Sequence, residues 1–103
     1  MSEEREMIVE QRNLLLSNLA LFYPSARAGE SYFMMMPTAF PEYTRRYCLR
    51  DLAYLEAKGY LEKLGPRGEK CPLGTPWNEA RWKLTASGFE IAQRILEDPA
   101  LEV

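Results

Sequence analysis

Apolar side chains recur at helical spacing along the start of the chain, which predicts a helix over residues 4–22 that Pro24 ends. One apolar row follows this helix at Ile8, Leu15, Leu19 and Phe22. A second row repeats every seven residues on the adjacent face, at Met7, Leu14 and Leu21. Because the two rows are wider than one small core needs, we expect the second row to pack against another copy of the chain. Burial of both rows within one chain is the alternative.

Residues 44–58 form the second clear helical pattern. Leu52 and Leu55 mark the inward face, with Cys48 or Leu49 one turn earlier. Thr44 is the expected N-cap, and Gly59 follows the helix where a positive φ is needed. The opposite face is expected to be exposed and to carry Arg46 and Arg50, together with Tyr43, Tyr47 or Tyr54.

Residues 60–84 predict a hairpin of two strands with a long loop. Residues 60–64 alternate between apolar and polar side chains, and residues 81–84 return as the partner strand. The loop at 65–78 is rich in Gly and Pro. Trp82 is expected in the core, whereas Trp77 in the loop has no clear partner. Thr85 caps a last helix over residues 85–98, which the following Pro99 ends.

The segment at 25–43 is the least readable part of the chain. Its apolar run at 32–36 is too short for periodicity to separate a short helix from a strand. Topology favours a short second helix, and the pair Tyr32-Phe33 suits a strand equally well. The three methionines at 34–36 are expected to fill the core. Pro37 and Pro41 bracket a turn ahead of the helix at 44–58.

Length and composition narrow the class of protein. A chain of 103 residues fits one domain, 1–103, with one core. No apolar run is long enough to span a bilayer, and the acidic residues 1–7 do not form a signal peptide, so we expect a cytoplasmic protein.

The residues that usually carry catalysis or hold metals are scarce. The chain has no histidine and only two cysteines, Cys48 and Cys71, so neither a Cys₂His₂ nor a Cys₄ zinc site can form. It also has no phosphate-binding glycine loop and no nucleophile motif. We therefore expect no metal, no cofactor and no enzymatic activity, with Cys48 buried in the core.

Charge is distributed unevenly along the chain. The net charge is −2, yet residues 43–83 hold nine Lys or Arg against five Asp or Glu. The remainder holds four basic and ten acidic residues. A basic face on an acidic body can bind DNA, with a marked dependence on salt.

Two motifs resemble the C-terminal half of winged-helix regulators of the MarR and PadR families. The first is Leu52-x-x-Leu55-Glu56-x-x-Gly59-Tyr60-Leu61, and the second is Trp82-x-Leu84-Thr85-x-x-Gly88. The resemblance covers residues 44–92. In size and layout the chain is also similar to small winged-helix proteins of Mu-like prophages. The N-terminal half matches neither regulator family clearly, and it lacks the long extra helix with which many of these regulators dimerise.

The resemblance implies a winged helix-turn-helix of the α+β class, mainly α, with three to four helices and a two- or three-stranded wing at 60–84. Residues 44–58 would be the recognition helix that enters the major groove of DNA. The expected DNA-contacting residues are Thr44, Arg45, Arg46, Tyr47 and Arg50 on the helix, and Lys63, Arg67 and Lys70 on the wing. The expected dimer interface joins the first and last helices through Met7, Leu14, Leu21 and Ile95.

The predicted function is sequence-specific binding of double-stranded DNA by a small transcriptional regulator, acting as a homodimer. The alternative is a winged-helix module that binds another protein, encoded by a phage or mobile element. A continuous basic face would favour DNA, whereas an uncovered apolar patch beside a helix of mixed charge would favour a protein partner. No residue pattern identifies a small-molecule effector.

Overall fold

The computed structural model describes residues 3–98, which form an α+β fold that is about half helical. The elements in chain order are α1 Glu3–Phe22, β1 Arg27–Ala28, α2 Gly29–Met34, α3 Arg45–Ala57, β2 Leu61–Leu64, β3 Arg81–Leu84 and α4 Ala86–Glu97. Each helix and strand expected from the clear periodic patterns is present. None of the helices in residues 3–98 is long and apolar enough to cross a membrane.

The three strands form a small antiparallel sheet with the order β1-β3-β2. Leu61 of β2 pairs with Leu84, and Lys63 pairs with Trp82. On the other side of β3, Arg27 of β1 also pairs with Trp82. The two residues of β1 are too few for any alternation to predict them from sequence.

The core lies between the helices and one face of the sheet. Trp82 is buried there as predicted, and its indole Nε1 donates a hydrogen bond of 2.9 Å to the carbonyl of Trp77. Trp77 is half-buried against the same core. Each helix and the sheet contribute fully buried side chains, among them Leu15, Leu16, Leu19, Tyr32, Leu52, Leu55, Leu84 and Ala92.

Residues 29–34 form a helix, so the helical interpretation of this ambiguous segment is correct. The hydroxyl of Tyr32 donates a hydrogen bond of 3.0 Å to the carbonyl of Trp82, which ties α2 to the sheet. Of the three methionines, Met36 is fully buried, whereas Met34 is exposed, contrary to the expectation for this run. Residues 35–44 then reach α3 through backbone turns, including bonds from Met36 to Phe33 and from Tyr43 to Phe40.

Hydrogen bonds from Thr85 join the start of α4 to the turn between α3 and β2. Gly59 has φ of +81°, and the amides of Gly59 and Tyr60 bond to Glu56 and Leu55, the pattern that ends a helix with a left-handed glycine. The oxygen of Thr85 accepts from the amide of Gly88 at 3.1 Å, which caps α4. The hydroxyl of Thr85 also donates to the carbonyl of Gly59 at 2.7 Å.

Candidate nucleic-acid interface

A fully buried carboxylate, Asp51, holds α3 against α1. Its Oδ1 lies 2.8 Å from Nε of Arg50 and 3.1 Å from Nε of Arg12, which reaches across from α1. Its Oδ2 lies 3.0 Å from Nη2 of Arg50 and accepts a hydrogen bond of 2.7 Å from the hydroxyl of Tyr43. Two guanidinium groups and a phenol therefore surround one buried negative charge.

Burial and the Asp51 carboxylate shift the pKa values of Tyr43, Cys48 and Arg50. Burial, together with the charge of Asp51, raises the pKa of Tyr43 far above its usual value, so the phenol keeps its proton and remains a donor. The hydrogen bond to Asp51 raises the pKa of Arg50. Burial also raises the pKa of the Cys48 thiol to about 12. Cys48 lies in the core, as predicted.

The placement of Tyr43 and Arg50 differs from the exposed face expected for them. Tyr43 is buried because its hydroxyl bonds to Asp51. Arg50 is half-buried, with its guanidinium 3.1 Å from the side-chain oxygen of Gln11 on α1 and 4.8 Å from the centre of the Tyr47 ring. The neighbouring carboxylate draws the Arg50 side chain back toward α1 and away from the open face of α3.

Arg45, at the start of α3, is exposed but has a partner. Its guanidinium forms a two-point ion pair with Glu30 of α2, with Nε 3.1 Å from Oε1 and Nη2 2.5 Å from Oε2. The same guanidinium lies 4.6 Å from the centre of the Phe33 ring. The pKa of Glu30 is lowered because its carboxylate accepts these hydrogen bonds. Arg45 therefore links the first turn of α3 to α2.

The remaining predicted contact residues of α3 lie at the open surface of its first turns. Thr44 is exposed, but its side-chain oxygen caps the helix by accepting from the amide of Tyr47 at 3.3 Å. Arg46 is exposed, and within residues 3–98 its guanidinium has no ion-pair or hydrogen-bond partner. Tyr47 exposes part of its ring next to Arg46. Leu49 is also exposed, so this face combines cationic, aromatic and aliphatic groups.

Of the three hairpin residues predicted to contact DNA, one is half-buried and two are exposed. Lys63 is half-buried, with its ammonium 5.6 Å from the Trp82 ring. Arg67 and Lys70 are exposed. They flank a tight turn in which Gly68 has φ of +84° and the Glu69 carboxylate accepts from the amide of Arg67 at 2.8 Å.

Arg81 is a structural cation that the sequence did not single out. Its Nε donates to the carbonyl of Pro66 at 2.8 Å, and Nη1 donates to the carbonyl of Ala26 at 3.3 Å. These bonds attach the hairpin loop and the segment before β1 to the start of β3. A basic residue at the start of a strand carries no signal for such a role, because both acceptors are distant backbone groups.

The four residues expected at a dimer interface do not share one surface. Met7 and Leu21 are exposed on α1, and Leu14 is half-buried against the core. Ile95 is 4% exposed and belongs to the core, so its assignment to an outer surface is wrong. The reason is that α4 packs on α1 through the face that carries Ala92 and Ile95, which leaves Leu96 outside.

A shallow groove of about 100 Å³ opens between α1 and α3. Its lining combines three apolar side chains with two charged ones and an amide, namely Met7, Ile8, Tyr47, Glu4, Arg50 and Gln11. Among residues 3–98 there is no cluster of acidic and cysteine side chains that could hold a metal ion. Comparison of the chain with protein-family models, with curated proteins and with solved structures finds no match.

Proposed function

We propose that this chain is a winged helix-turn-helix protein that binds double-stranded DNA, with α3 in the major groove and the β2–β3 hairpin as the wing. The observation that carries the proposal is the arrangement of elements around α3. Two helices and a short strand precede it, Gly59 turns it directly into an antiparallel hairpin, and the sheet has the order β1-β3-β2. Helix-turn-helix proteins use the second helix of the motif to read DNA, and in this proposal α3, the helix that follows α2, is that helix.

The proposed DNA contacts are made mainly by exposed cationic side chains. Arg46 has the reach and freedom either to pair bidentately with a guanine edge or to hold a phosphate. Tyr47, beside it, offers a partly exposed ring and hydroxyl. On the wing, Arg67 and Lys70 would contact the sugar–phosphate backbone flanking the groove. In this proposal Arg50 orients α3 through Asp51, and its guanidinium is not a primary DNA contact.

The connection between α2 and α3 is an unusual feature for this class. Residues 35–44 separate the helices, whereas a helix-turn-helix commonly has a turn of about 3–4 residues. Consecutive turn bonds and the buried Tyr43 hold this connection to the core. A fixed connection of this kind orients α3 as a short turn would.

We further propose that the protein regulates transcription as a homodimer. Met7 and Leu21 leave apolar surface exposed on α1, two heptads apart. A two-fold dimer would present two copies of α3 to successive major grooves, about 34 Å apart. Sedimentation of the wild type beside a Met7→Glu/Leu21→Glu variant tests this step. A monomeric wild type at micromolar concentration would contradict it.

The decisive experiment measures binding to a mixed-sequence duplex by fluorescence anisotropy at low and high salt. We expect wild-type binding to weaken steeply with salt, and Arg46→Ala to weaken it by about 1–3 kcal/mol if Arg46 reads a base. Arg94→Ala is the matched control, because it removes an exposed arginine from the last turn of a different helix, α4. Equal affinities of the wild type and Arg46→Ala would reject the assignment of α3, and absence of wild-type binding at low salt would reject DNA as the partner.

The second candidate function is binding of a partner protein, and the surface of α3 gives it one specific support. Leu49 and Tyr47 are exposed beside Arg46, and Leu73 in the hairpin loop is fully exposed. Glu56 adds negative charge farther along the same helix. If the wild type does not bind DNA, a pull-down that Leu49→Ser and Leu73→Ser abolish together would support this function.

A further inference from the structure

The ion pair between Arg45 and Glu30 holds the Glu30 carboxylate of α2 against the first turn of α3. Glu30 lies in the first turn of α2, fifteen residues before its partner in the chain. Its two oxygens contact the Nε and Nη2 edge of the guanidinium, while the Phe33 ring lies against the guanidinium, 4.6 Å from it. The orientation of Arg45 is therefore fixed by both an edge contact and a ring contact.

The edge that Glu30 occupies is one with which arginine binds phosphate. A guanidinium presents parallel N–H groups that match either a carboxylate or a phosphate, so the two anions compete for the same donors. The pair is also accessible, since the Arg45 side chain is 58% exposed and the Glu30 side chain 35% exposed. Solvent screening makes exposed ion pairs weak, so an incoming polyanion can displace the carboxylate.

We propose that Glu30 is an internal competitor for DNA phosphate at Arg45, and that it lowers the affinity of the α3 surface for nucleic acid. This inference rests on the proposed function. In the free protein Glu30 neutralises Arg45, which leaves Arg46 as the open cation of the first turn of α3. On DNA, Arg45 exchanges the carboxylate for a phosphate, while Phe33 continues to support the guanidinium.

The proposal predicts how Glu30→Gln changes the affinity for DNA and the dependence of that affinity on salt. Replacement Glu30→Gln keeps the shape of the side chain and removes its charge, so Arg45 no longer has to leave an anionic partner. We expect Glu30→Gln to bind a mixed-sequence duplex about 1.4–5-fold more tightly than the wild type, the range set by an exposed ion pair. Arg45 contacts phosphate in both complexes, and salt screens the exposed ion pair that competes in the wild type. The advantage of Glu30→Gln over the wild type should therefore shrink as the salt concentration rises.

Two further variants distinguish loss of the Arg45–Glu30 ion pair from the general effect of removing one negative charge. Glu90→Gln removes an exposed carboxylate from α4 and is the matched control. Arg45→Ala removes the guanidinium, and in that background Glu30→Gln should gain much less affinity than it does in the wild type. Circular dichroism of each variant establishes that the fold is retained.

The outcomes separate this inference from the proposed function. Tighter binding by Glu30→Gln alone, lost in the Arg45→Ala background, supports the inference. It does so even if the wild type binds too weakly to measure. Measurable wild-type binding that Glu30→Gln leaves unchanged, or strengthens equally in both backgrounds, overturns the inference and leaves the proposed function standing. Failure of the wild type and of Glu30→Gln to bind at low salt overturns both.

Discussion

The hydroxyl of Tyr43 donates a hydrogen bond of 2.7 Å to the buried carboxylate of Asp51. Tyr43 precedes α3 and Asp51 lies near its middle, so the bond spans the first half of the helix and fixes how the connecting segment enters it. Arg12 and Arg50 supply the positive charge that the buried carboxylate needs. Orientation of the candidate DNA-binding helix thus depends on polar contacts inside the protein as well as on its apolar face.

Replacement Tyr43→Phe removes one donor from a buried anion and leaves the ring in place. We expect a loss of about 2 kcal/mol in the free energy of unfolding, as is typical for a hydrogen bond to a charged group. Urea denaturation measures it. Tyr60→Phe is the matched control, since the Tyr60 hydroxyl has no hydrogen-bond partner within residues 3–98, and it should cost less than about 0.5 kcal/mol. Similar losses in the two variants would contradict a specific role for the Tyr43 hydroxyl.

Gly88 is required because α4 begins directly against the backbone of Tyr60. A Cβ at position 88 would lie 2.0 Å from the Tyr60 carbonyl oxygen, which also accepts the amide of Thr85. We expect Gly88→Ala to destabilise the fold by about 1–3 kcal/mol or more, although alanine favours helices, because backbone must move. Thermal unfolding tests this beside Ser87→Ala, an exposed neighbour on the same helix. Equal melting temperatures for Gly88→Ala and the wild type would refute the close contact.

The sequence identified those parts of the fold that local chemistry determines. Gly59 and Thr85 were recognised because a positive φ and a helix N-cap each require particular residue types, and both are found in these positions. The apolar periodicity of α1, α3 and α4 gave their extents for the same reason. The two-residue strand β1 was not predicted, because it exists only through pairing with β3.

The candidate site was harder to predict, because its charges are arranged by contacts between distant residues. In the sequence, Asp51 is only one of the five acidic residues in 43–83, yet it is fully buried and paired with Arg12, 39 residues earlier. That pairing turns Arg50 inward and buries Tyr43, neither of which helical spacing can reveal. The exposure of Arg46 was predicted correctly, and no carboxylate among residues 3–98 forms an ion pair with it.

Alkaline pH should destabilise the protein through Cys48. Burial raises the pKa of its thiol from 9.0 to about 12, so the contribution of the neutral thiol to stability is complete below pH 9 and is lost as pH rises toward 12. Between pH 8 and pH 10.5 we expect the wild type to lose about 2 kcal/mol more than Cys48→Ala. Tyr32 and Tyr43, whose pKa values are also raised by burial, destabilise the fold at high pH in both proteins. The half-buried Cys71 supplies the control, because Cys71→Ala should follow the wild type. Parallel curves for all three proteins would disprove the effect.

A double-mutant cycle on Arg50 and Asp51 separates orientation of α3 from contact with DNA. Asp51→Asn should cost about 3 kcal/mol of stability, because it leaves two partly buried guanidinium groups without their anion. Arg50→Ala should be destabilising in the wild type and much less so in Asp51→Asn, with a coupling energy of about 0.5–3 kcal/mol.

DNA affinity of the same variants is the second measurement. If Arg50 acts through Asp51, adding Arg50→Ala to Asp51→Asn leaves affinity unchanged, whereas adding Arg46→Ala lowers it further. A further loss with Arg50→Ala would instead make Arg50 a direct contact that leaves Asp51 when DNA binds.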